Sequence, residues 1–297
     1  MEEIATATVF AELRTQWDAD ITPDVERAHT LKPTMRLVHC ATCGLEHFDP
    51  VVPGSPAFYS QLADVDYYPS RWEFGVVAHR LRPTDTVLDL GAGDGTFLAA
   101  IRSRVSRVVG VDHSAEAIRR LRERGIPGDV GDFASHISDL RGAFSVVTAF
   151  QTVEHVADVA EVVEPALAAL APGGRLFLST PNRERAGMRA VEPLDWPPHH
   201  LSRWAREQWG SLAERFELRL VGVTLEEPDF STAAAAMIAR VATPLDRLLP
   251  HRTATVCGKA LRRALLTQRR YEARRAVGSW SARGVPGHTM LAELVRP

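Results

Sequence analysis

The chain has 297 residues, a formal net charge of −2 at neutral pH and a hydrophobic content of 45%. These values indicate a folded protein of one large domain or slightly more, and the near-neutral charge argues against a polyanionic partner. The sequence predicts neither a membrane span nor a basic-then-apolar leader. Because its three cysteines are too few for a disulfide framework, we expect a cytoplasmic protein.

The N-terminal part contains a candidate metal-binding turn. Residues 1 to about 30 predict a helix, and a Cys-x-x-Cys-Gly segment follows at Cys40–Gly44. Two thiolates at this spacing can share one zinc ion, but a tetrahedral site needs four ligands, and His29, His39 or His47 would have to complete it. The alternative, which we favour, is a β-hairpin that keeps the glycine turn without zinc.

A glycine-rich turn follows a short apolar strand at Val87–Leu90. Gly91, Gly93 and Gly95 alternate with other residues, and an amphipathic helix begins near Phe97. Strand, turn and helix in this order bring backbone N–H groups and a helix N-terminus up to a ligand. Glycine allows the backbone to approach that ligand without a Cβ in the way.

The charges around the turn indicate which kind of ligand it binds. Asp89 lies inside the strand, and Asp94 and Thr96 lie in the turn. Two carboxylates would repel a diphosphate and attract a ligand that carries an ammonium and a sulfonium. A second strand, Arg107–Asp112, ends in an acid about twenty residues on, where a ribose diol needs a carboxylate acceptor.

The segments Val87–Gly95 and Val109–Asp112 resemble the first two motifs of the class I S-adenosylmethionine (SAM)-dependent methyltransferases. The pattern Leu-x-Pro-Gly-Gly-x-Leu at Leu170–Leu176 resembles the same family. The resemblance implies an α/β fold with a Rossmann-like, seven-stranded sheet and helices on both faces. The last strand, Thr289–Val295, would run antiparallel to its neighbours. A purely structural βαβ unit or an NAD site is the alternative.

Between and after these motifs the pattern predicts the remaining elements of such a sheet. Helices are expected over 115–124, 157–170 and 203–214, and strands over Phe144–Phe150, Arg175–Thr180 and Leu218–Val223. Phe144–Phe150 is nearly all apolar, as a buried parallel strand should be. Ser114 can cap the first of the helices.

The resemblance also implies a division of the chain. We predict an N-terminal cap segment over residues 1–75, a SAM-binding domain over 76–225 and 286–297, and a helical insertion over 226–285. A basic helix predicted at 256–278 is explained by a solvated face, an anionic substrate or a dimer contact. Many bacterial sugar and polyketide methyltransferases have a similar Cys-x-x-Cys-Gly-Leu segment after an earlier Cys-x-x-Cys. This chain lacks the earlier pair, so its own segment is interpreted as vestigial.

Family resemblance assigns the SAM-binding residues. Asp132 and the backbone N–H of Phe133 would hold the adenine, and Arg71 would pair with the methionine carboxylate. Tyr67 and Tyr68 could close the same end, although simple helix packing explains them equally well. The full implied set is Arg71, Asp89, Gly91, Ala92, Gly93, Asp112, His113, Asp132, Phe133, Phe150 and Gln151.

Histidines follow two strands that should flank the methyl donor. His155 comes after Phe144–Phe150, and His199 and His200 come in the loop after the next strand. Ligands of open α/β sheets bind at the carboxyl ends of the strands, so both loops can reach one acceptor. A hydroxyl acceptor must lose its proton, and histidine is suited to take it at neutral pH. We therefore predict His155, His199 and His200 as catalytic.

Gln151-x-x-Glu154-His155 with the distal His199-His200 also resembles the Glu-x-x-Glu-His set of ubiquinone-type and small-RNA 2′-O-methyltransferases. That resemblance implies Mg²⁺ or Mn²⁺ held by Glu154, His155 and His200, which would orient two neighbouring acceptor oxygens. This chain departs from the set at Gln151, whose amide oxygen is a weaker ligand. A metal-free histidine base therefore stays open.

The sequence predicts a SAM-dependent methyltransferase that acts on a hydroxyl of a small molecule such as a sugar, a polyketide or another secondary metabolite. One alternative is a metal-dependent enzyme for a vicinal diol, a catechol or an RNA ribose, and another is a non-catalytic SAM-binding subunit. A nucleic-acid methyltransferase would depend on the basic helix, and the near-neutral charge counts against it. A homodimer is compatible with the sequence.

Overall fold

The computed structural model describes residues 2–62, 71–136, 140–185, 192–227 and 287–297. The predicted cap residues Tyr67 and Tyr68 and the predicted basic helix at 256–278 lie outside the described residues. The chain divides into two compact units, one of residues 1–183, 190–224 and 290–297 and one of residues 184–189 and 225–289. The site lies in the first unit, and the predicted domain boundaries stay a prediction.

The N-terminal segment folds into strands and helices rather than one helix. In chain order these are β1 (Glu2–Ala5), α1 (Thr6–Gln16), α2 (Pro23–His29), β2 (Thr34–His39), β3 (Glu46–Asp49) and α3 (Pro56–Gln61). The prediction of a single helix to residue 30 is wrong for two reasons. The first residues pair antiparallel with β2, and Asp18, with φ of 55°, ends the helical path before Pro23 starts α2.

The Cys-x-x-Cys segment forms the turn of a β-hairpin. β2 pairs antiparallel with β3, and the Gly44 N–H donates to the Cys40 carbonyl over 2.8 Å. Gly44 has φ of +68°, a conformation that favours glycine. Cys40 and Cys43 are both half-buried thiols. The segment is thus a hairpin, and because a zinc knuckle uses the same turn, its interpretation as vestigial stays a prediction.

The main sheet has seven strands. They are β4 (Thr86–Leu90), β5 (Arg107–Asp112), β6 (Gly128–Val130), β7 (Phe144–Phe150), β8 (Leu170–Pro181), β10 (Arg219–Leu225) and β11 (Thr289–Val295), in the spatial order β10-β11-β8-β7-β4-β5-β6. The five strands from β4 to β8 are parallel. The predicted seven-stranded Rossmann-like sheet is confirmed.

β11 runs antiparallel to both neighbours, as predicted. Its C-terminal end bonds the start of β8, because Arg296 exchanges backbone hydrogen bonds with Gly173 and Gly174. Its N-terminal end bonds the end of β10, because the Glu226 N–H donates to the Thr289 carbonyl over 3.0 Å. Opposite ends meet in each pair, which defines the antiparallel direction.

Helices cover the sheet on both faces. They are α4 (Trp72–Arg80), α5 (Thr96–Ile101), α6 (Ala115–Glu123), α7 (Phe133–His136), α8 (Ala160–Ala169) and α9 (Gln208–Arg215). The Ser114 hydroxyl accepts from the Ala117 N–H over 3.2 Å and caps α6 as predicted. Within the described residues, no helix combines the length and apolarity that crossing a membrane requires.

The helix predicted at 203–214 begins later, because its first residues belong to a short strand. That strand, β9 (Ser202–Arg203), pairs antiparallel with β3, with Arg203 opposite Glu46. The loop before it packs into the N-terminal core, where Trp196 lies 4.8 Å from Phe48 between ring centroids. The N-terminal sheet therefore holds the loop that follows β8.

Candidate active site

The glycine turn between β4 and α5 has the conformation that a close-lying ligand requires. Gly91, Gly93 and Gly95 have φ of +76°, +54° and +76°. An added Cβ at Gly91 would lie 2.7 Å from the Thr152 hydroxyl oxygen, whereas one at Gly93 would meet no atom within 4 Å. The space beside Gly93 is open, and the turn can accept a ligand there.

Replacement of Gly91 by alanine is expected to destabilise the fold and to weaken cofactor binding. Alanine would have to adopt the left-handed backbone conformation of Gly91, which residues with a side chain rarely adopt. Its Cβ would also clash with Thr152. We expect a loss of about 1–3 kcal/mol in the free energy of unfolding. Chemical denaturation of Gly91→Ala measures this loss in the free energy of unfolding. The comparison variant is Ala92→Gly, which adds no atoms to the turn. Equal stability of Gly91→Ala and wild type would contradict the packing described.

Asp89 is a buried carboxyl at the end of β4. It is 2% exposed and accepts a hydrogen bond from the Thr148 hydroxyl over 2.6 Å. Burial raises the pKa of Asp89 to about 7, the Thr148 bond opposes the rise, and the charge of Asp112 adds to it. A cationic ligand group beside this carboxyl would favour its ionised form.

Asp112 joins the end of β5 to the glycine turn. Its two carboxylate oxygens accept from the Gly93 and Ser114 N–H groups, each over 2.8 Å. Each oxygen can accept a further hydrogen bond, so a ribose diol is chemically compatible with these contacts. Asp112 therefore shapes the turn, in addition to its predicted role toward a ligand.

Asp94 does not act as the sequence argument assumed. Its carboxylate accepts from the N–H and the hydroxyl of Thr96, at 3.0 and 2.6 Å, and pairs with Arg124. These contacts start α5 and neutralise the charge. The negative charge near the turn therefore comes from Asp89 and Asp112.

The residues predicted for adenine lie after the ends of β5 and β6. Asp132 accepts from the Ser135 N–H over 2.8 Å, which begins α7 and keeps the pKa of Asp132 below its usual value. The His113 and Phe133 rings lie 5.1 Å apart between centroids. An acid and two rings are thus gathered at this edge, as an adenine would require.

The end of β7 contributes an apolar and a polar residue. Phe150 packs against Phe74 and Phe97, at 4.8 and 4.9 Å between ring centroids. Gln151 has φ of 50°, and its side-chain amide donates to the Ser179 hydroxyl over 3.1 Å. Its buried Oε1 has no hydrogen-bond partner in the described part of the chain. A strained backbone and an unsatisfied oxygen are typical of a ligand site.

Arg71 lies at the start of α4 and acts on the acceptor end. Its charge lowers the pKa values of Glu154 and His155, although burial dominates both groups. The guanidinium is therefore near the end of β7, where the methyl donor would be. Its predicted partner, the methionine carboxylate, stays a prediction.

The structure brings the three predicted histidines together. One ring nitrogen of each of His155, His199 and His200 lies within 4.8 Å of the other two. The ring centroids are 4.8 Å apart for His155 and His199, 4.9 Å for His155 and His200, and 4.3 Å for His199 and His200. Loops after β7 and β8 therefore converge on one point.

Backbone and carboxylate oxygens orient these rings through Nδ1. The His155 nitrogen lies 2.7 Å from the His199 carbonyl oxygen, and the His199 nitrogen lies 2.8 Å from the Leu194 carbonyl oxygen. A carbonyl only accepts, so both Nδ1 atoms carry the hydrogen and Nε2 is the unprotonated nitrogen. His200 Nδ1 lies 3.5 Å from an Asp195 carboxylate oxygen.

Burial keeps the His155 and His199 imidazoles neutral. Burial, together with the neighbouring His199, lowers the pKa of His155 to about 3. Burial also lowers the pKa of His199 well below its usual value. Neutral imidazoles with hydrogen-bonded Nδ1 atoms are the form in which histidine binds a metal or accepts a hydroxyl hydrogen.

Glu154 was predicted as a metal ligand with His155 and His200, and that role stays a prediction; the structure brings His199 together with the two histidines. Within the described ranges, the group whose ligand atoms lie within 4.8 Å consists of the three histidines. Glu154 is 1% exposed, and neither carboxylate oxygen has a hydrogen-bond partner among the residues described. Burial raises its pKa to about 8.

Sequence reasoning missed two residues that support the cluster. Asp195 faces His200, and Tyr59 on α3 reaches His155 with its hydroxyl oxygen 3.2 Å from Nδ1. Tyr59 comes 96 positions before His155, and no spacing rule connects the two. Asp195 precedes the histidine pair in the same loop, which was its only signal.

The chain is similar in sequence to known proteins. A family described as a methyltransferase domain matches residues 72–223, just over half of the chain. An uncharacterised 37.1 kDa protein in transposon TN4556 of Streptomyces fradiae is 31% identical over 165 residues, or 52% of this chain and 46% of that protein. A ubiquinone biosynthesis O-methyltransferase of Pseudomonas paraeruginosa is 36% identical over 104 residues, or 33% of this chain and 45% of that enzyme. The matches span about half the length of these relatives.

A similar solved structure is the phosphoethanolamine N-methyltransferase 2 of Haemonchus contortus in complex with SAM. Its TM-score is 0.50 at 14% identity, over 76% of this chain and 52% of that one. A likeness at this identity shows the fold alone. It agrees with the strand order found in the main sheet.

Proposed function

The chain belongs to the methyltransferase-domain family, and on that premise we propose that it transfers a methyl group from SAM to a hydroxyl of a small molecule. SAM is the cofactor of class I members of this family. The histidine cluster at the carboxyl ends of β7 and β8 is the observation that favours a hydroxyl acceptor.

The residues around the glycine turn fit the cofactor. Open space beside Gly93, the buried Asp89 carboxyl and the Asp112 carboxylate suit a backbone-contacted ligand with a cationic group and a diol. SAM would supply an electrophilic methyl group on its sulfonium. Asp89 would hold the ammonium, Asp112 the ribose, and Asp132 with Phe133 the adenine.

On the acceptor side, the chain's own residues would orient the hydroxyl and take up its hydrogen. The unprotonated Nε2 atoms of His155 and His199 can accept that hydrogen as the oxygen attacks, and His200 would help to orient the hydroxyl. Hydrogen bonds at Nδ1 fix the rings, so little reorganisation is needed. A sugar, a polyketide or another secondary metabolite provides such a hydroxyl.

A divalent-metal-dependent version is the second candidate, and the same cluster supports it. Three clustered imidazoles, each with an oxygen atom near Nδ1, are a suitable ligand set for a first-row divalent ion. Such an ion would supply a Lewis acid that orients a vicinal diol, a catechol or a ribose. Burial raises the pKa of Glu154 to about 8, so this carboxyl would join the site only in its ionised form, which a divalent ion would favour.

Titration calorimetry of Mn²⁺ into the protein saturated with S-adenosylhomocysteine (SAH) separates the two candidates. The metal version predicts one-to-one binding that His200→Ala abolishes and that His79→Ala, a change at an exposed histidine on α4, leaves intact. No binding to wild type would contradict the metal version and leave the histidines as hydrogen acceptors. Release of SAH from SAM with a panel of diols and single hydroxyls then tests the transfer itself.

A further inference from the structure

The N-terminal segment contributes a side chain to the acceptor site. The Tyr59 hydroxyl oxygen lies 3.2 Å from His155 Nδ1 and 3.4 Å from the His199 carbonyl oxygen. The two rings also meet edge to face, with 5.9 Å between centroids. One carbonyl oxygen therefore receives both the tyrosine hydroxyl and the imidazole N–H.

These contacts determine the orientation of the His155 ring. With Nδ1 protonated, His155 donates to the His199 carbonyl over 2.7 Å and points the same hydrogen toward the Tyr59 oxygen. A ring rotated by half a turn would present a carbon atom to both partners. Tyr59 thus favours one rotamer and one tautomer, in which Nε2 keeps its lone pair.

The helix that carries Tyr59 is itself firmly held. The Ser55 hydroxyl caps α3 by accepting from the Phe58 N–H over 3.2 Å, and Phe58 is fully buried. The Ser55 N–H donates to Nε2 of the buried His29 over 3.0 Å. Tyr59 therefore reaches the cluster from a fixed backbone.

α3 also lies directly against the histidine loop. A Cβ at Gly54 would lie 2.8 Å from Tyr59 Cε2 and 2.9 Å from the Pro198 carbonyl oxygen. Only a glycine allows this approach without displacement of one of the two. Tyr59 and the loop that carries His199 therefore pack against the same residue, Gly54.

We propose that Tyr59 is a positioning residue, which holds His155 with Nδ1 protonated and Nε2 available to the acceptor or to a metal ion. This role rests on the proposed function. It makes the N-terminal segment part of the acceptor site, and it acts through His155 rather than on the reacting atoms.

The test compares Tyr59→Phe with Ser60→Ala, which removes an exposed hydroxyl from the same helix. Nuclear magnetic resonance of protein with ¹⁵N-labelled histidine, at one neutral pH, reports the tautomer of His155. We expect the Nδ1–H form alone in wild type and Ser60→Ala, and an added Nε2–H population in Tyr59→Phe. An unchanged His155 tautomer in Tyr59→Phe would overturn the proposal.

The kinetic readout is the rate at which an acceptor is methylated. We expect kcat to fall about tenfold in Tyr59→Phe, as is typical for loss of a group that orients a site histidine. SAH affinity should stay unchanged, because the contacts that carry this proposal join Tyr59 to His155 and to the His199 carbonyl on the acceptor side. A wild type with no turnover would contradict the proposed function, and the resonance experiment would still decide the role of Tyr59.

Discussion

Replacement of Asp89 by asparagine is expected to weaken SAH binding by about 10- to 150-fold at pH 8. In the proposed complex the buried carboxylate holds the ammonium of the ligand, and a hydrogen bond to a charged group contributes about 1.5–3 kcal/mol. Asparagine keeps the volume and can still bond Thr148. Titration calorimetry measures the change, with the exposed Asp24→Asn as a control.

The same substitution should remove a pH dependence. Because the pKa of Asp89 is about 7 without ligand, the Asp89 carboxyl is protonated below that pH. It must lose this proton before it can bind an ammonium as a carboxylate. Wild-type affinity should then fall by up to about tenfold for each pH unit below 7, while Asp89→Asn stays flat. A wild-type affinity that is constant between pH 6 and 8 would contradict the proposed contact.

The stability of the ligand-free protein should depend on pH in the opposite direction to its SAH affinity. The folded-state pKa of Asp89 is raised to about 7 from the model-peptide value of 3.8, so the folded protein binds this proton more tightly than the unfolded chain. That contribution is complete below the unfolded pKa and is lost as the pH rises through 7, by up to about 4 kcal/mol. Asp89→Asn should therefore unfold at higher denaturant concentration than wild type at pH 8.

Replacement of His155 by asparagine is expected to lower methyl transfer by about 10²–10⁴-fold. Asparagine keeps a polar group near the Nδ1 position and lacks an atom at the Nε2 position. The loss of methyl-transfer rate therefore measures the contribution of Nε2, the atom that faces the acceptor. SAH affinity should stay within about twofold of wild type, since the glycine turn is untouched. His79→Ala is the matched control, because that ring is exposed and bonds only within α4.

His155→Gln tests, in the same experiment, which position of the polar atom is required. Its amide reaches the Nε2 position, so partial activity would identify Nε2 as the required atom. Equal turnover of His155→Asn and wild type would contradict a role of this histidine in transfer. A loss of SAH affinity equal to the loss of turnover would assign His155 to cofactor binding instead.

The main sheet could be predicted well from the sequence. β7 and β11 have the predicted bounds, Phe144–Phe150 and Thr289–Val295. β7 is a nearly all-apolar run in which no residue is exposed, and a strand buried on both faces has that composition. The glycine turn was equally readable, because its φ values require glycine at fixed positions.

The N-terminal segment could not be predicted in the same way. β1 has the sequence Glu-Glu-Ile-Ala, which lacks β-branched alternation, and it exists because β2 lies beside it. β9 has only two residues and depends on β3. Such pairings are tertiary, and local propensity does not report them.

The candidate site was predictable in its residue types and not in its contacts. That His155, His199 and His200 would meet followed from the carboxyl-edge rule for parallel strands. The partners of their Nδ1 atoms and the approach of Tyr59 depend on loop conformation. The neutralisation of Asp94 by Arg124, 30 positions away, was invisible for the same reason.

The most direct test of a SAM-dependent methyltransferase is the calorimetric titration of SAH into wild type and Asp89→Asn at pH 8. We predict one-to-one binding by wild type and a loss of about tenfold or more in the variant. Absence of binding by a folded wild-type protein would contradict the assignment of the glycine turn to SAM, and with it the proposed methyl transfer.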